Sequence, residues 1–569
     1  MTVSWQIPTF DARAVNDLSK NLNISPILAR LLIHRGLHTP LEATHFLYPD
    51  RSMLHDPFLF HQMEQAIERI KKAIDKNERI LIHGDYDADG ISATAIIFHT
   101  LSQYTHNLVT YIPHRLNQGY GVKQDALDFA KNEKATLIIT VDCGITAVEE
   151  TQSAKNMGID MIITDHHLSP DQLPDAIAII HPSQPNETYP YSHLSGAGVA
   201  FKLAQAIDQT LSKSNTYLSD DLLELAALGT LSDIVLLNGE NRVIAKHGLA
   251  QMSKSKRPGL RALLERTKLY NKSLETWHIG YIIAPRINAA GRLGDADKAL
   301  RLLLTDSITE AQEITETLDQ YNKERQQVVK EVFDQAEQLI HSQINLNSES
   351  IIVLSNPGWH IGVLGIVASN LVDEFERPVI LIGFNGDQGK GSGRSVDGFQ
   401  IVDALDYCKD TLLGFGGHEM ACGLTISPNQ IMSFRKKINQ YANEKGYQST
   451  ASSSEKAIDT DVQLSDLTES FLNHLTLLAP HGPGNPEPLF LVRNVTTEGP
   501  PRIIKETHLK LRIRDKNYRA EAMWFGNADK ADLFHNTKKS WDFACHSRLN
   551  EYNGFQSVEL RLHDVRSTQ

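Results

Sequence analysis

From Glu78 onward, short apolar runs alternate with helical stretches, and the runs end in acids and imidazoles. The runs are Ile80-Leu81-Ile82, Leu137-Ile138-Ile139-Thr140-Val141, Met161-Ile162-Ile163 and Ala176-Ile177-Ala178-Ile179-Ile180. Each is rich in branched residues and bounded by polar, Gly or Pro positions, the pattern of strands buried on both faces. Helical segments between them imply crossovers and a parallel sheet, so an α/β domain is expected over 71–258. Composition permits this: 41% hydrophobic and 22% charged residues is ordinary globular usage. A length of 569 residues suits about three to five domains, and no long repeat is visible.

The remaining chain reads differently. The first 70 residues form an N-terminal helical region. Between 295 and 356 there is no Gly or Pro, and Ile314, Leu318, Tyr321, Val328, Val332 and Ala336 recur at helical spacing. That predicts one long helix, or two, acting as a rigid spacer within a connector over 259–345. A second α/β unit is expected over 346–445, with strands at 351–354 and 378–381 and a glycine-rich connection at 389–395. The polar stretch 448–456 reads as a linker or mobile loop. In the tail, 457–569, His508-Leu509-Lys510-Leu511-Arg512-Ile513-Arg514 and Val558-Glu559-Leu560-Arg561-Leu562-His563 alternate strictly. Alternation marks half-buried antiparallel strands, hence a small β-barrel.

The net charge of -13 does not suggest a nucleic-acid binder. From 491 to 569, however, 14 Lys and Arg face 10 Asp and Glu. The exposed face of the first alternating strand would carry His508, Lys510, Arg512 and Arg514, as single-strand-binding barrels do. No apolar run reaches the roughly 18–20 residues that span a bilayer. The opening residues lack a secretory pattern, and four widely spaced cysteines form no C-x-x-C pair. A cytoplasmic protein without membrane association or disulfides is expected.

The chemistry concentrates after the strands. Asp85-x-Asp87-x-Asp89-Gly90 imitates a calcium loop, but its twelfth position is Ile96 and a strand precedes it, so calcium is excluded. Ligands of parallel α/β sheets bind beyond the carboxyl ends of strands. Three strand ends would deliver His83, Asp87, Asp89, Asp142, His166 and His167 to one rim. A single Asp there is explained as a helix N-cap; recurrence at three successive strands is not. So many carboxylates share a site only if cations neutralise them. Carboxylate and imidazole without thiolate suit Mn²⁺ or Mg²⁺, and a pair of such ions is a common device for phosphoester hydrolysis. The run 389–395 is not a nucleotide P-loop, because Gly383 and Gly389-Lys390 are wrongly spaced and Gly391 replaces the Ser or Thr.

His83-x-x-x-Asp87-x-Asp89, Val141-Asp142-Cys143-Gly144 and Thr164-Asp165-His166-His167 resemble motifs I to III of the DHH phosphoesterase superfamily. Arg286-Ile287-Asn288-Ala289-Ala290-Gly291-Arg292, Trp359-His360-x-Gly362-Val363, Gly416-Gly417-His418-x-x-Ala421-x-Gly423 and Pro483-Gly484-Asn485-Pro486-Glu487-Pro488 are similar to the RecJ family within it. The resemblance runs from about Leu37 to the C-terminus. It implies a DHH-type parallel-sheet domain joined by a long helix to a DHHA1-type α/β domain, plus a C-terminal OB-like β-barrel. It implies a single-stranded-DNA-specific 5′→3′ exonuclease releasing 5′-mononucleotides in repair and recombination. It implies two ions, one on His83, Asp87 and Asp142, the other on Asp89, Asp142, His166 and Asp233. Asp85 would be a further acid, as ligand or orienter. His167 would donate a proton or stabilise charge, with Asp165 orienting the histidines. Arg115, Arg286, Ser392 and Arg394 would hold the terminal 5′-phosphate. A monomer is implied, with a helicase and a single-strand-binding protein as candidate partners. The rivals are a hydrolase of short or cyclic oligonucleotides and a non-catalytic binding protein.

Overall fold

A computed structural model describes residues 5–115, 118–212, 221–447, 456–536, 539–552 and 555–568. The chain opens with β1 (Trp5–Gln6) and helices α1 (Ala12–Leu22), α2 (Pro26–His34) and α3 (Pro40–Leu47), capped by Asp11, Ser25 and Thr39. Helix α4 (Met63–Asp75) then leads into β2 (Ile80–Gly84), β3 (Leu108–Tyr111), β4 (Leu137–Val141), β5 (Asp160–Thr164) and β6 (Ala178–Ile180). These five strands form a parallel sheet in the order β3-β2-β4-β5-β6. The order reverses between β2 and β4, and at such a switch point the loops part to leave a ligand crevice. The sequence does not announce β3. As an edge strand it is only half-buried along its length, so it needs no continuous apolar run.

Alternation sorts the strands' side chains. Ile80, Ile82, Leu137, Ile139 and Ile162 face α4, α5 (Ala88–Leu101) and later helices, whereas Leu81, Ile138 and Met161 face α6 (Gln124–Asn132) and α7 (Val148–Asn156). Helix α5 is buried nearly all round. It packs on α8 (Gly196–Leu211) and α9 (Leu223–Ser232), with α10 (Gly239–Met252) outside them. The same core continues past Pro258 through α11 (Pro258–Arg266), α12 (Ala284–Leu293) and α13 (Ala296–Leu304).

Helix α14 (Ile308–Gln343) runs 36 residues, about 54 Å at about 1.5 Å per residue. Ala311 and Leu318 belong to the first core; Val332, Ala336 and Ile340 belong to that of the second α/β unit. The helix is thus both spacer and wall of each unit it joins.

The second unit has β7 (Ile352–Ser355), β8 (Val379–Asn385), β9 (Gln388–Arg394), β10 (Gly414–His418) and β11 (Ala421–Ile426), ordered β10-β11-β9-β8-β7. Helix α15 (Leu364–Phe375) lies on one face; α16 (Ile401–Tyr407) and α17 (Ile431–Glu444) lie on the other. The glycine-rich run expected as a connection is strand β9 instead. Gly389, Gly391 and Gly393 alternate on one face, where a Cβ would stand 2.9 Å from Ile426, 2.8 Å from Leu424 and 2.5 Å from Cys422. The glycines make room for neighbouring side chains.

The linker expectation at 448–455 lies outside the described residues; Lys456 sits in β12 (Lys456–Ala457), which pairs in parallel with β1. The tail contains β13 (Thr460–Val462), helix α18 (Glu469–Leu475), β14 (Phe490–Thr497), β15 (Arg502–Ile504), β16 (His508–Asp515), β17 (Tyr518–Trp524), β18 (Ser540–Tyr552) and β19 (Phe555–Ser567). A β14–β16 pairing closes the sheet into a barrel. Leu509, Leu511 and Ile513 are buried as their alternation requires. Helices α1 to α3 share this core: Leu18, Leu28, Leu32 and Leu47 pack with Phe490 and Phe543.

Arg242, 2% exposed on α10, fastens the barrel to the first α/β domain. Its guanidinium donates to the carbonyls of Phe46, Leu477, Leu478, Ala479 and Pro480. Replacing it leaves buried acceptors unpaired, at about 1–3 kcal/mol each where water cannot enter. Arg242→Met is expected to lower folding stability by about 3 kcal/mol, read as a lower urea midpoint. A midpoint equal to wild type would show that the clasp contributes nothing.

Candidate metal centre

The switch-point crevice gathers the acids. Asp87 caps α5, its Oδ1 accepting from the Asp89 and Gly90 N–H groups at 2.9 and 3.0 Å. Asp89 accepts from the Gly196 and Ala197 N–H groups at 2.7 and 2.9 Å, so the positive end of α8 faces it. Asp142 leaves β4 in the left-handed region, φ 60°, a strained conformation for a non-glycine residue. Gly196 is required opposite it, because a Cβ there would lie 2.3 Å from Asp142 Oδ1. Asp233 closes the ring from the C-terminal end of α9.

Three ligand groups result, each with its donor atoms within 4.8 Å of one another: Asp85, Asp87 and Asp142; Asp89, His166 and Asp233; and Asp142, His166 and His167. Asp142 connects the sets, since His166 Nε2 lies 3.1 Å from Asp142 Oδ1 and 3.6 Å from Asp233 Oδ2. His83 belongs to none of these groups. Its Nδ1 faces Cys143 Sγ at 3.5 Å.

Charge makes the crowding costly. Burial, then neighbouring carboxylates, raise Asp89 to about 7 and Asp233 to about 8, and push Asp85 and Asp142 well above the usual range. Burial lowers His83 to about 4 and, with the charge of His167, His166 to about 3, keeping both rings neutral. His167 differs. Burial opposes its charge, but the hydrogen bond and charge of Asp165 lift it to about 9. Asp165 resists burial through the His167 bond and charge and the Ile145 N–H, which hold it at about 2. Its Oδ1 lies 2.8 Å from His167 Nδ1 and also accepts from the His166 and His167 N–H groups.

The donor set fits divalent cations. His83 Nε2, Asp85 Oδ1, Asp142 Oδ1 and His166 Nε2 are buried without a hydrogen-bond partner, a costly state unless the atoms ligate something. Oxygen and imidazole donors without thiolate match Mn²⁺ or Mg²⁺.

The anion-binding candidates lie beside this crevice. Arg115 sits over the ring of Tyr86, 4.9 Å from its centroid, and Tyr86 separates Asp85 from Asp87. Ser392 and Arg394 come from β9 to the first turn of α15, where a Cβ on Gly365 would stand 3.0 Å from Ser392 Oγ and 3.1 Å from Arg394 Nη2. Arg286 is engaged elsewhere as well, pairing with Asp319 at 2.8 Å and donating to the Ile282 carbonyl. Sequence reasoning missed two positioning groups. Asn288 Oδ1 accepts from the Ala88 N–H at 2.8 Å, pinning α12 to the start of α5. The Tyr120 hydroxyl lies 2.9 Å from His167 Nδ1. Asn288 stands inside a quoted motif and Tyr120 five residues after Arg115, and only the fold brings them to the site.

The raised acids set the sign of a stability test. Groups whose folded pKa is raised stay protonated longer in the fold than in the unfolded chain. Their contribution therefore falls as pH rises from the unfolded carboxylate value of about 4 through the folded values of about 7 and 8. At pH 8 Mn²⁺ is expected to raise the melting temperature, by about 2.7 kcal/mol of stability at a hundredfold excess over Kd. Asp142→Asn is expected to raise the metal-free melting temperature and abolish the Mn²⁺ increment; an undiminished increment would remove Asp142 from the ligand set.

Comparison with known proteins identifies the domains and the family. The DHH family, N-terminal domain, matches residues 79–230; the DHHA1 domain matches 348–444; the RecJ OB domain matches 458–564. The single-stranded-DNA-specific exonuclease RecJ of Bacillus subtilis is 38% identical over 99% of this chain and 70% of its own length. That of Salmonella typhimurium is 32% identical over 95% of this chain and 96% of its own. The crystal structure of RecJ in complex with Mn²⁺ from Thermus thermophilus superimposes with a TM-score of 0.84 at 30% identity, covering all (100%) of this chain and 80% of that one. Its Mg²⁺ complex gives a TM-score of 0.79. With its parallel-sheet, DHHA1 and barrel domains and a centre fit for Mn²⁺ or Mg²⁺, this chain belongs to the RecJ family of single-stranded-DNA-specific exonucleases.

Proposed function

We propose that the chain hydrolyses single-stranded DNA from the 5′ end and releases 5′-mononucleotides, in repair and recombination. The observation that carries this reading is the contiguity of two charges of opposite sign. Arg115 rests on Tyr86, whose neighbours Asp85 and Asp87 are in the ligand groups. A strand end held by the arginines thus places its first linkage among the carboxylates.

Asp85, Asp87 and Asp142 would hold one ion, with His83 beside them; Asp89, Asp142, His166 and Asp233 would hold the other. Bound divalent ions supply Lewis acidity and neutralise charge at a phosphoester. The protein's own groups do the rest. His167, kept protonated by Asp165, stands in one ligand group with Asp142 and His166 and can donate a proton to the departing 3′-oxygen. Arg115, Ser392 and Arg394, with Arg286, bind the terminal phosphate through guanidinium forks and the start of α15. Fixing the end fixes the distance to the cut, which gives direction and product size.

The barrel is assigned to the strand farther along. Two of its basic residues are already paired, Lys510 with Glu521 at 2.7 Å and Arg514 with Glu498 at 3.7 Å. Arg512 is exposed between them and is the better contact. A monomer in the cytoplasm, working with a helicase and a single-strand-binding protein, completes the reading. Among the described residues no helix is long and apolar enough to cross a membrane.

With Mn²⁺, a 5′-labelled strand is expected to release labelled mononucleotide at once, while a 3′-labelled strand shortens gradually; the reverse pattern refutes the direction. Arg394→Ala is expected to cut the preference for 5′-phosphorylated ends about tenfold or more, on the scale of a lost charged hydrogen bond. Arg512→Ala is expected to weaken binding of long strands and reduce the salt slope by about one; an unchanged slope excludes it as a phosphate contact. This point change is preferable to deleting the tail, whose core α1 to α3 share.

A further inference from the structure

Half-buried arginines elsewhere in the molecule face carboxylates: Arg69 pairs with Glu78 and Asp160, Arg257 with Glu224, Arg435 with Glu349 and Arg548 with Glu487. Arg242 and Arg377 instead have their guanidinium groups engaged by backbone carbonyls, and the cleft between the two α/β units differs from both arrangements. Arg115, Arg292, Arg325 and Arg394 gather there, and among the described residues none has a carboxylate within ion-pair distance. Their acceptors are neutral. Arg292 donates to the Gly362 carbonyl at 3.1 Å, Arg325 to Asn322 Oδ1 at 3.0 Å and Arg394 to the Gly393 carbonyl at 2.8 Å. Arg325 Nε is buried with no partner at all.

The group is continuous in space. Gly291 lets α12 approach Tyr86, since a Cβ there would be 2.9 Å from the Tyr86 carbonyl oxygen. Arg292 follows directly and reaches Gly362, just before α15, the helix whose first turn backs Ser392 and Arg394. Burial and then the charges of Arg115 and Arg325 depress Arg292 to about 9, against the weaker opposing charge of Asp87; burial and the charge of Arg286 lower Arg325. Cations without a paired carboxylate in a partly desolvated cleft are costly unless an anion fills it.

We propose that Arg292 and Arg325 are further binding residues of the terminal-phosphate pocket, adding two guanidinium groups that select a phosphomonoester dianion over an internal phosphodiester. The proposal rests on the pocket described under Proposed function. A diester carries one negative charge, whereas a terminal phosphate carries up to two near neutral pH. Guanidinium groups drawn from three elements, α12, α14 and β9, can engage more phosphate oxygens than an internal diester, esterified on both sides, leaves free.

The test compares kcat/KM on the same single strand with a 5′-phosphate and with a 5′-hydroxyl, for wild type, Arg292→Gln, Arg325→Gln and Arg394→Ala. The ratio is expected to fall tenfold or more in each variant. In metal-free protein, inorganic phosphate is expected to raise the wild-type melting temperature, and less so that of Arg292→Gln and Arg325→Gln. An unchanged ratio in both glutamine variants, with a lowered ratio in Arg394→Ala, overturns this assignment and leaves the pocket standing. An unchanged ratio in all three overturns the pocket itself. Equal losses on both strand ends make the two arginines structural and overturn the proposal. If Arg292→Gln does not fold, Arg292→Lys carries the comparison, since it keeps the charge and loses the fork.

Discussion

Electrostatic crowding at the carboxyl ends of β2, β4 and β5 governs this molecule. Asp85, Asp89, Asp142 and Asp233 are packed closely enough that burial and mutual repulsion raise them all. Nothing in a protein favours that arrangement for stability alone. It persists because the surrounding backbone holds it: the α8 N-terminus binds Asp89, Asp87 caps α5 and Asp142 is held at positive φ. Stability is spent on a preformed ligand cage, a usual location for local strain.

The same logic recurs with opposite sign a few residues away. Carboxylates and guanidinium groups meet at Tyr86: Asp85 and Asp87 flank it in the chain, Arg115 lies over its ring, and the charge of Arg292 also reaches it. Under the proposed function a phosphate chain would suit such a cleft: its end would face the arginines and its next linkage the acids, which would hold the divalent cations. The acids, Arg115 and Arg292 belong to the first α/β unit, and Ser392 and Arg394 to the second. The separation of the two units is set by α14, whose halves are buried in the two cores. The barrel is fixed just as firmly, through Arg242 and through helices α1 to α3 at the other end of the chain.

Much of the fold was legible. The runs that became β2, β4, β5 and β6 are apolar because both faces are covered, and the alternation in β16 reflects one covered face. Where the covering differs, the reading fails. Strand β3 is an edge, and the glycines of β9 look like a loop although they sit where Ile426, Leu424 and Cys422 fill the space a side chain would take. Attachment of α1 to α3 to the barrel has no local signature, since more than 400 residues separate Leu32 from Phe490 in sequence number.

For the site, sequence alone determined which chemical groups are available and that they follow strands. Strand ends are a local property of apolar runs, and the groups themselves are read directly from the chain. Tertiary structure decided how they combine: that Asp142 links the ligand groups, that Asp165 charges His167, that His83 stands apart beside Cys143, and that Arg286 shares itself with Asp319 while Arg292 and Arg325 form no ion pair among the described residues. Those outcomes depend on distances and burial among residues remote in the chain. Coulomb energy and desolvation act through space, so only the folded arrangement assigns them.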